Sequence, residues 1–118
     1  MGRYLNSIES HKNIKEIDMI TKSYLADHGF KLIEYNNEQV WRREGFLTCP
    51  QFIKIEAIEK TPCIVRIEAW LRVLDRPGAD DINPMTERPL IGFNRRKNIS
   101  LTIGDLKSEI YKLEVILK

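Results

Sequence analysis

Little in this chain favours cross-linking, burial in lipid or attraction by bulk charge. Two cysteines, Cys49 and Cys63, among 118 residues are too few for a disulfide framework and lack metal-ligand spacing. No apolar run approaches the roughly 18 residues a membrane-spanning helix needs. The opening Met1-Gly2-Arg3-Tyr4-Leu5-Asn6-Ser7 lacks the apolar core of a signal peptide. Asn6 also stands where a myristoylation signal has Ser or Thr. The expectation is a cytoplasmic protein with no membrane partner. An excess of one charge is missing too. Nineteen basic against 17 acidic residues leave +2, too little to draw nucleic acid or anionic lipid in bulk. With no repeats or low-complexity segments, what is present is an ordinary globular balance, 42% hydrophobic and 31% charged. The length fits one core and not two, so residues 1–118 are expected to form a single domain.

The clearest element is a helix near the start. Asn13 followed by Glu16 makes a capping box, and Gly29 after His28 supplies a left-handed stop. At about 100° per residue, Ile14, Ile17, Ile20, Tyr24 and Leu25 share one arc with Thr21 and His28. Lys15, Asp18, Lys22, Ser23 and Asp27 take the other side. Two short strands follow, Lys31–Tyr35 and Glu38–Arg43, joined by Asn36-Asn37, a pair that tolerates the positive φ of a two-residue hairpin turn. In that register Ile33 faces Val40, Leu32 faces Trp41, and Lys31 faces Arg42, a mildly unfavourable pair.

The centre of the chain alternates with period two over residues 51–59 and 63–74. With Lys60-Thr61-Pro62 as the loop, one face pairs Ala57 with Val65, Ile55 with Ile67 and Ile53 with Ala69, all apolar. The other pairs Ile58 with Ile64, Glu56 with Arg66, Lys54 with Glu68 and Phe52 with Trp70. Opposite charges and an aromatic pair each contribute roughly 0.2–1 kcal/mol in such positions. A slip of two residues would set Lys54 against Arg66, and a slip of one would mix the faces. In this register Cys49 lies opposite Val73, on the order of 30 Å from Cys63 at strand rise. A disulfide needs Cα atoms within about 7 Å, so none is expected.

Residues 75–98 break the pattern. Pro77-Gly78, Asn83-Pro84, Pro89 and Gly92 punctuate a long irregular loop of mixed charge. Beyond it, Ile99, Leu101 and Ile103 alternate with Ser100 and Thr102. Two readings stand: a short fifth strand, or Thr102 as the cap of a last helix with Asp105 answering it. After Asp105, the stripe Leu106, Ile110, Leu113, Ile116 and Leu117 predicts a helix running to Lys118.

No catalytic constellation emerges. His11 lies in the lead-in to the first helix, and His28 ends that helix, where a structural role suffices. Cys63 opens a strand on the core-facing set and reads as a small buried apolar group. Cys49, beside Pro50, is expected to be the more exposed thiol, but no neighbour in sequence would lower its pKa. An enzyme acting through it ranks third among the readings. Asp75, Asp80, Asp81 and Glu87 match no calcium loop and are offset by Arg76 and Arg88, so solvated carboxylates, no metal and no cofactor are expected. Phe93 and Arg95-Arg96-Lys97, with Arg42-Arg43, are phosphate-binding candidates, and Trp41, Phe52 and Trp70 are candidates for a stacking platform for single-stranded nucleic acid. Against that, Glu56 and Glu68 share a face with Phe52 and Trp70 and would repel phosphates. A face carrying Phe52, Trp70, Ile58 and Ile64 is otherwise core beneath a second layer or a docking surface for a peptide or another subunit. Tyr111 and Val115, off the last helix's main stripe, suggest a small second contact.

Val40-Trp41-Arg42-Arg43, Cys49-Pro50-Gln51-Phe52-Ile53-Lys54 and Ile67-Glu68-Ala69-Trp70-Leu71 occur in that order after a helix closing at Gly29-Phe30. They resemble the VWK-, APQFIK- and LEAWI-like stretches of a group of small uncharacterised bacterial domains. The resemblance spans most of the chain, implies one domain with an accessory role, and brings no catalytic residue with it. Some members are joined to zinc ribbons or membrane segments. This chain carries neither, and its loop over residues 75–98 is longer and more charged. The expected fold is α+β: a mainly antiparallel sheet of four or five strands, with an N-terminal and a C-terminal helix on one face. The expected function is a non-enzymatic binding or regulatory module working through protein or peptide contacts, or as a homo-oligomer. Its candidate binding residues are Trp41, Phe52, Trp70, Phe93, Arg95, Arg96 and Lys97. Single-stranded nucleic acid is the second reading.

Overall fold

In the computed structural model, which describes residues 3–45, 49–72, 87–88 and 97–118, the capping box of Asn13 and Glu16 opens helix α1 (Ile14–Asp27). Asn13 Oδ1 accepts the Glu16 amide at 2.8 Å, and Glu16 Oε1 accepts the Asn13 amide at 3.3 Å. The chain turns out of the helix through Gly29 at φ +86°, a region that penalises any residue with a Cβ. Strands β2 (Lys31–Tyr35) and β3 (Glu38–Arg43) then form the expected hairpin. Asn36 and Asn37 both take positive φ, 48° and 66°, as a two-residue turn that follows the strand twist demands. Strands β4 (Gln51–Ile58) and β5 (Cys63–Arg72) pair in the register derived from their charges and aromatics, Phe52 opposite Trp70, Lys54 opposite Glu68 and Glu56 opposite Arg66.

The alternation of apolar residues did not reveal strand β1 (Tyr4–Ser10), which runs antiparallel along β5. The reason is its inward row, Tyr4, Asn6, Ile8 and Ser10, half of which is polar. Asn6 and Ser10 are satisfied by the last helix rather than by apolar packing. Asn6 Nδ2 donates to Glu114 Oε2 at 2.6 Å, and Ser10 Oγ donates to the Leu117 carbonyl. His11, in the lead-in to α1 as expected, directly follows this strand. Among the described residues the sheet runs β1-β5-β4-β3-β2, wholly antiparallel, with the two-residue β6 (Glu87–Arg88) on β5 at Leu71 and Arg72.

Helix α2 (Lys97–Leu117) corrects both readings of residues 99–103, which are neither a strand nor a cap but the first turns of the helix. Thr102 is buried inside it. Ile99, Thr102, Ile103 and Gly104 are weak helix formers, and tertiary bonds override them. Gln51 Nε2 donates to the Thr102 carbonyl at 3.1 Å and to Asp105 Oδ2 at 3.1 Å. Arg43 reaches Asp105 at 2.9 Å and Glu109 at 3.3 Å. Gly45 completes this corner, since a Cβ there would collide with the Cys49 carbonyl and press on Thr102.

Both helices lie on one face of the sheet. Ile17 and Leu25 from α1 and Leu106, Ile110, Leu113 and Leu117 from α2 close over Ile53, Val65, Ile67, Ala69 and Leu71. Each buried Val, Leu or Ile side chain among them contributes about 1.5–3 kcal/mol relative to exposure. Ile116, expected in the buried stripe, is instead 38% exposed. Tyr111 and Val115 also point to solvent. On the opposite face a small cluster of Tyr35, Val40, Phe52 and Trp70 forms a second core.

Candidate functional site

The three aromatic residues proposed as a platform do not share a face. Phe52 and Trp70 come together, stacked with ring centroids 5.4 Å apart and planes 4° off parallel, with Tyr35 beside both. They are 3% and 0% exposed. The Arg3 guanidinium lies 3.7 Å above the Trp70 ring, so this pair offers no open ring face. Trp41 pairs with Leu32 and Ile53, on the helix-bearing side. Phe93, Arg95 and Arg96 lie outside the described residues, as do Asp75, Asp80 and Asp81, while Lys97 opens α2.

A charged strap crosses the Phe52/Trp70 face. Arg3 bonds Glu38 at 2.8 and 3.1 Å and Glu68 at 3.3 Å, and Lys54 Nζ lies 2.8 Å from Glu38. The Arg3 and Lys54 cations hold the Glu38 carboxyl down from 4.5 to about 2, against the opposing effect of burial. Glu38 in turn raises the Lys54 pKa. This network is satisfied by its own members and ties the segment before β1 across β5 and β4 to β3.

Cys49, expected to be the more exposed, is 0% exposed, and Cys63 is buried as expected. Both are unbridged. His28 is structural: its Nδ1 lies 2.7 Å from the Tyr24 carbonyl and its ring stacks on Tyr24 at 3.9 Å. Burial, then Glu109, raises the Tyr24 pKa. Among the described residues no three His, Cys, Asp or Glu side chains gather as metal ligands, and no helix is long and apolar enough to cross a membrane.

Among the described residues, one candidate site is a groove on the helix face. Helix α2 is bonded to β1 through Glu114 and Leu117 and to β3 and β4 through Asp105 and Thr102, and α1 packs on β4. Among the described residues, β2 leaves its Leu32 side chain about half-exposed. The groove beside it encloses about 400 Å³, walled by Ile14, Lys15, Ile17, Asp18, Thr21 and Lys22 of α1 and floored by Leu32, Gln39, Trp41, Ile55 and Ala57. Trp41, Ile55 and Ala57 are half-buried, and Leu32 is 48% exposed. In the wall, the buried Thr21 hydroxyl has no hydrogen-bond partner.

Among the described residues, the groove borders an edge with no strand beyond it. In a two-residue hairpin the pair flanking the turn, here Tyr35 and Glu38, is hydrogen-bonded, and bonded and non-bonded pairs then alternate. Ile33 and Lys31 therefore bond to β3, whereas Leu32 and Glu34 aim their N–H and C=O groups outward. Among the described residues no strand pairs with β2 on that side. Sequence reasoning singled out Trp41 alone from this site. The Leu32–Trp41 pairing was the signal that marks Leu32 as well.

No family model, curated protein or solved structure matches the chain.

Proposed function

We propose that the chain is a small binding module that receives an extended segment of another protein along the outer edge of β2. The observation that carries this reading is the outward row of Leu32 and Glu34 backbone groups beside the Leu32/Trp41 groove. An added strand gains main-chain hydrogen bonds from the edge, and its alternate side chains find apolar surface on the groove face, the two components of strand addition. Half-exposed Leu32 and half-buried Trp41 are the apolar anchors such a contact uses. The aromatic pair Phe52/Trp70 adds no support for the nucleic-acid reading, because its rings are already covered.

Panning a displayed library of short random peptides against the full chain and against Glu34→Pro tests this. The Glu34 N–H points away from β3, so proline there removes an outward donor without breaking the β2–β3 ladder. Enrichment of extended, β-prone sequences on the natural chain, lost on the proline variant, is the expected result. Equal enrichment on both would sink the proposal. A Trp41→Ala variant should weaken the selected peptides at least about tenfold if the groove takes a side chain.

A further inference from the structure

The outer edge of β2 also specifies which strand it accepts. On the groove face it presents Leu32 and Glu34, and on the opposite face Lys31, Ile33 and Tyr35. Glu34 and Lys31 are exposed, and neither forms an ion pair among the described residues. Glu34 faces uncharged Gln39 on β3, and Lys31 faces Arg42, a like-charge pair. Each therefore lacks an opposite charge on its inner side, and cross-strand partners of opposite charge are stabilising while like charges are not. The other charges near the groove do not alter this. Asp18 and Lys22 pair with each other at 3.0 Å, Lys15 stands on the α1 wall, and Arg42 is engaged by Glu44.

Resting on the strand-addition reading above, we infer that the segment bound at β2 runs antiparallel and carries a basic residue opposite Glu34, a β-branched residue opposite Ile33, a large apolar residue opposite Leu32, and an acidic residue opposite Lys31. Read from its N-terminus the motif is basic, β-branched, apolar, acidic. The antiparallel direction continues the pairing of the whole sheet and is the more stable ladder. The apolar side chain lies over Leu32 toward Trp41, and the carboxylate answers the Lys31/Arg42 pair. A second copy of this chain does not fit the pattern. Pairing the whole of β2 with its own copy sets Leu32 against Glu34 and Lys31 against Tyr35, which leaves both charges unanswered.

The probe is a pair of acetylated, amidated peptides flanked by Ser and Thr, one with the core Lys-Val-Leu-Asp and one with Asp-Val-Leu-Lys. Each is titrated into the isotope-labelled full chain while the Leu32 and Glu34 amide resonances are followed. The first should bind about tenfold tighter at low salt, the sum of two charge pairs changed from attractive to repulsive, and the gap should narrow with added salt. In a chain carrying Lys31→Glu together with Glu34→Lys the ranking should invert. Equal affinity of the two peptides, with binding abolished by Glu34→Pro, would leave strand addition standing and overturn the motif. Preference for the reversed peptide by the natural chain would overturn it as well. If neither peptide binds, or if sedimentation finds a dimer that Glu34→Pro dissociates, both the motif and the reading beneath it fall.

Discussion

The two outer strands of the sheet are held in opposite ways. β1 is stitched to the last helix: Asn6 and Tyr4 both bond Glu114, Ser10 bonds the Leu117 carbonyl, and Ile8 is buried among core residues. Burial, reinforced by Glu114, raises the Tyr4 pKa. β2 has its hairpin partner and one deeply buried side chain, Tyr35, while its Leu32 is 48% exposed beside the α1 wall. The difference shows how an edge becomes structural or available. Polar residues pointing inward give a helix something to grip. On the proposed reading, the half-exposed Leu32 at the other edge is the place a partner would use.

The sharpest contrast should come from matched truncations. Ile8→Ala removes a buried side chain and should cost about 2–4 kcal/mol in urea unfolding, whereas Leu32→Ala should change stability by no more than about 0.5 kcal/mol. A comparable loss at both positions would break the distinction between the edges. Next comes Asn6→Ala, which strips a charge-assisted bond from the buried Glu114 carboxylate and should cost about 1.5–3 kcal/mol. Asn6→Asp should do worse, because it sets two carboxylates together.

The strap from Arg3 to Glu38 spans from one edge strand to the neighbour of the other. Glu38 is part-exposed, so screening limits its contribution to about 1 kcal/mol. Its folded pKa is about 2 against 4.5 unperturbed. The stabilisation is therefore complete above pH about 4.5 and fades as pH falls toward about 2. Unfolding of the natural chain and Glu38→Gln should differ at neutral pH and converge across that window. A difference that persists at pH 2 would assign the effect to something other than this carboxyl. The smallest effect is expected in the groove wall. Thr21→Val replaces an unpartnered buried hydroxyl by a methyl group and should be neutral or stabilising by up to about 1 kcal/mol. A clear loss would reveal a bond to that hydroxyl.

Much of the fold was legible because several local signals agreed. The capping box, the Asn36-Asn37 turn and the charge pairs of β4 and β5 each fix a register within a few residues, and all three appear in the structure. β1 and the start of α2 were not legible, since both depend on side-chain bonds to distant elements. Asn6 and Ser10 look outward-facing until Glu114 and Leu117 arrive, and Thr102 looks like a cap until Gln51 takes its carbonyl oxygen. The candidate site was half legible. Pairing placed Trp41 beside Leu32, but the α1 residues that wall the groove depend on where that helix packs on the sheet.

The inward polarity of β1 has a consequence for how the chain reaches this fold. The segment from α1 through β5 is built from hairpins between near neighbours, and such local contacts form fastest. β1 is made before all of them, yet its only strand partner among the described residues is β5, and the groups that cap its Asn6 and Ser10 come last in the chain. If β1 pairs after them, it is exposed until β5 and α2 are in place. A β-prone apolar segment in that position would invite sticking to other chains. An inner row of Tyr4, Asn6, Ile8 and Ser10 offers only Ile8 as a fully apolar side chain, so the feature that anchors the finished edge also protects the unfinished one.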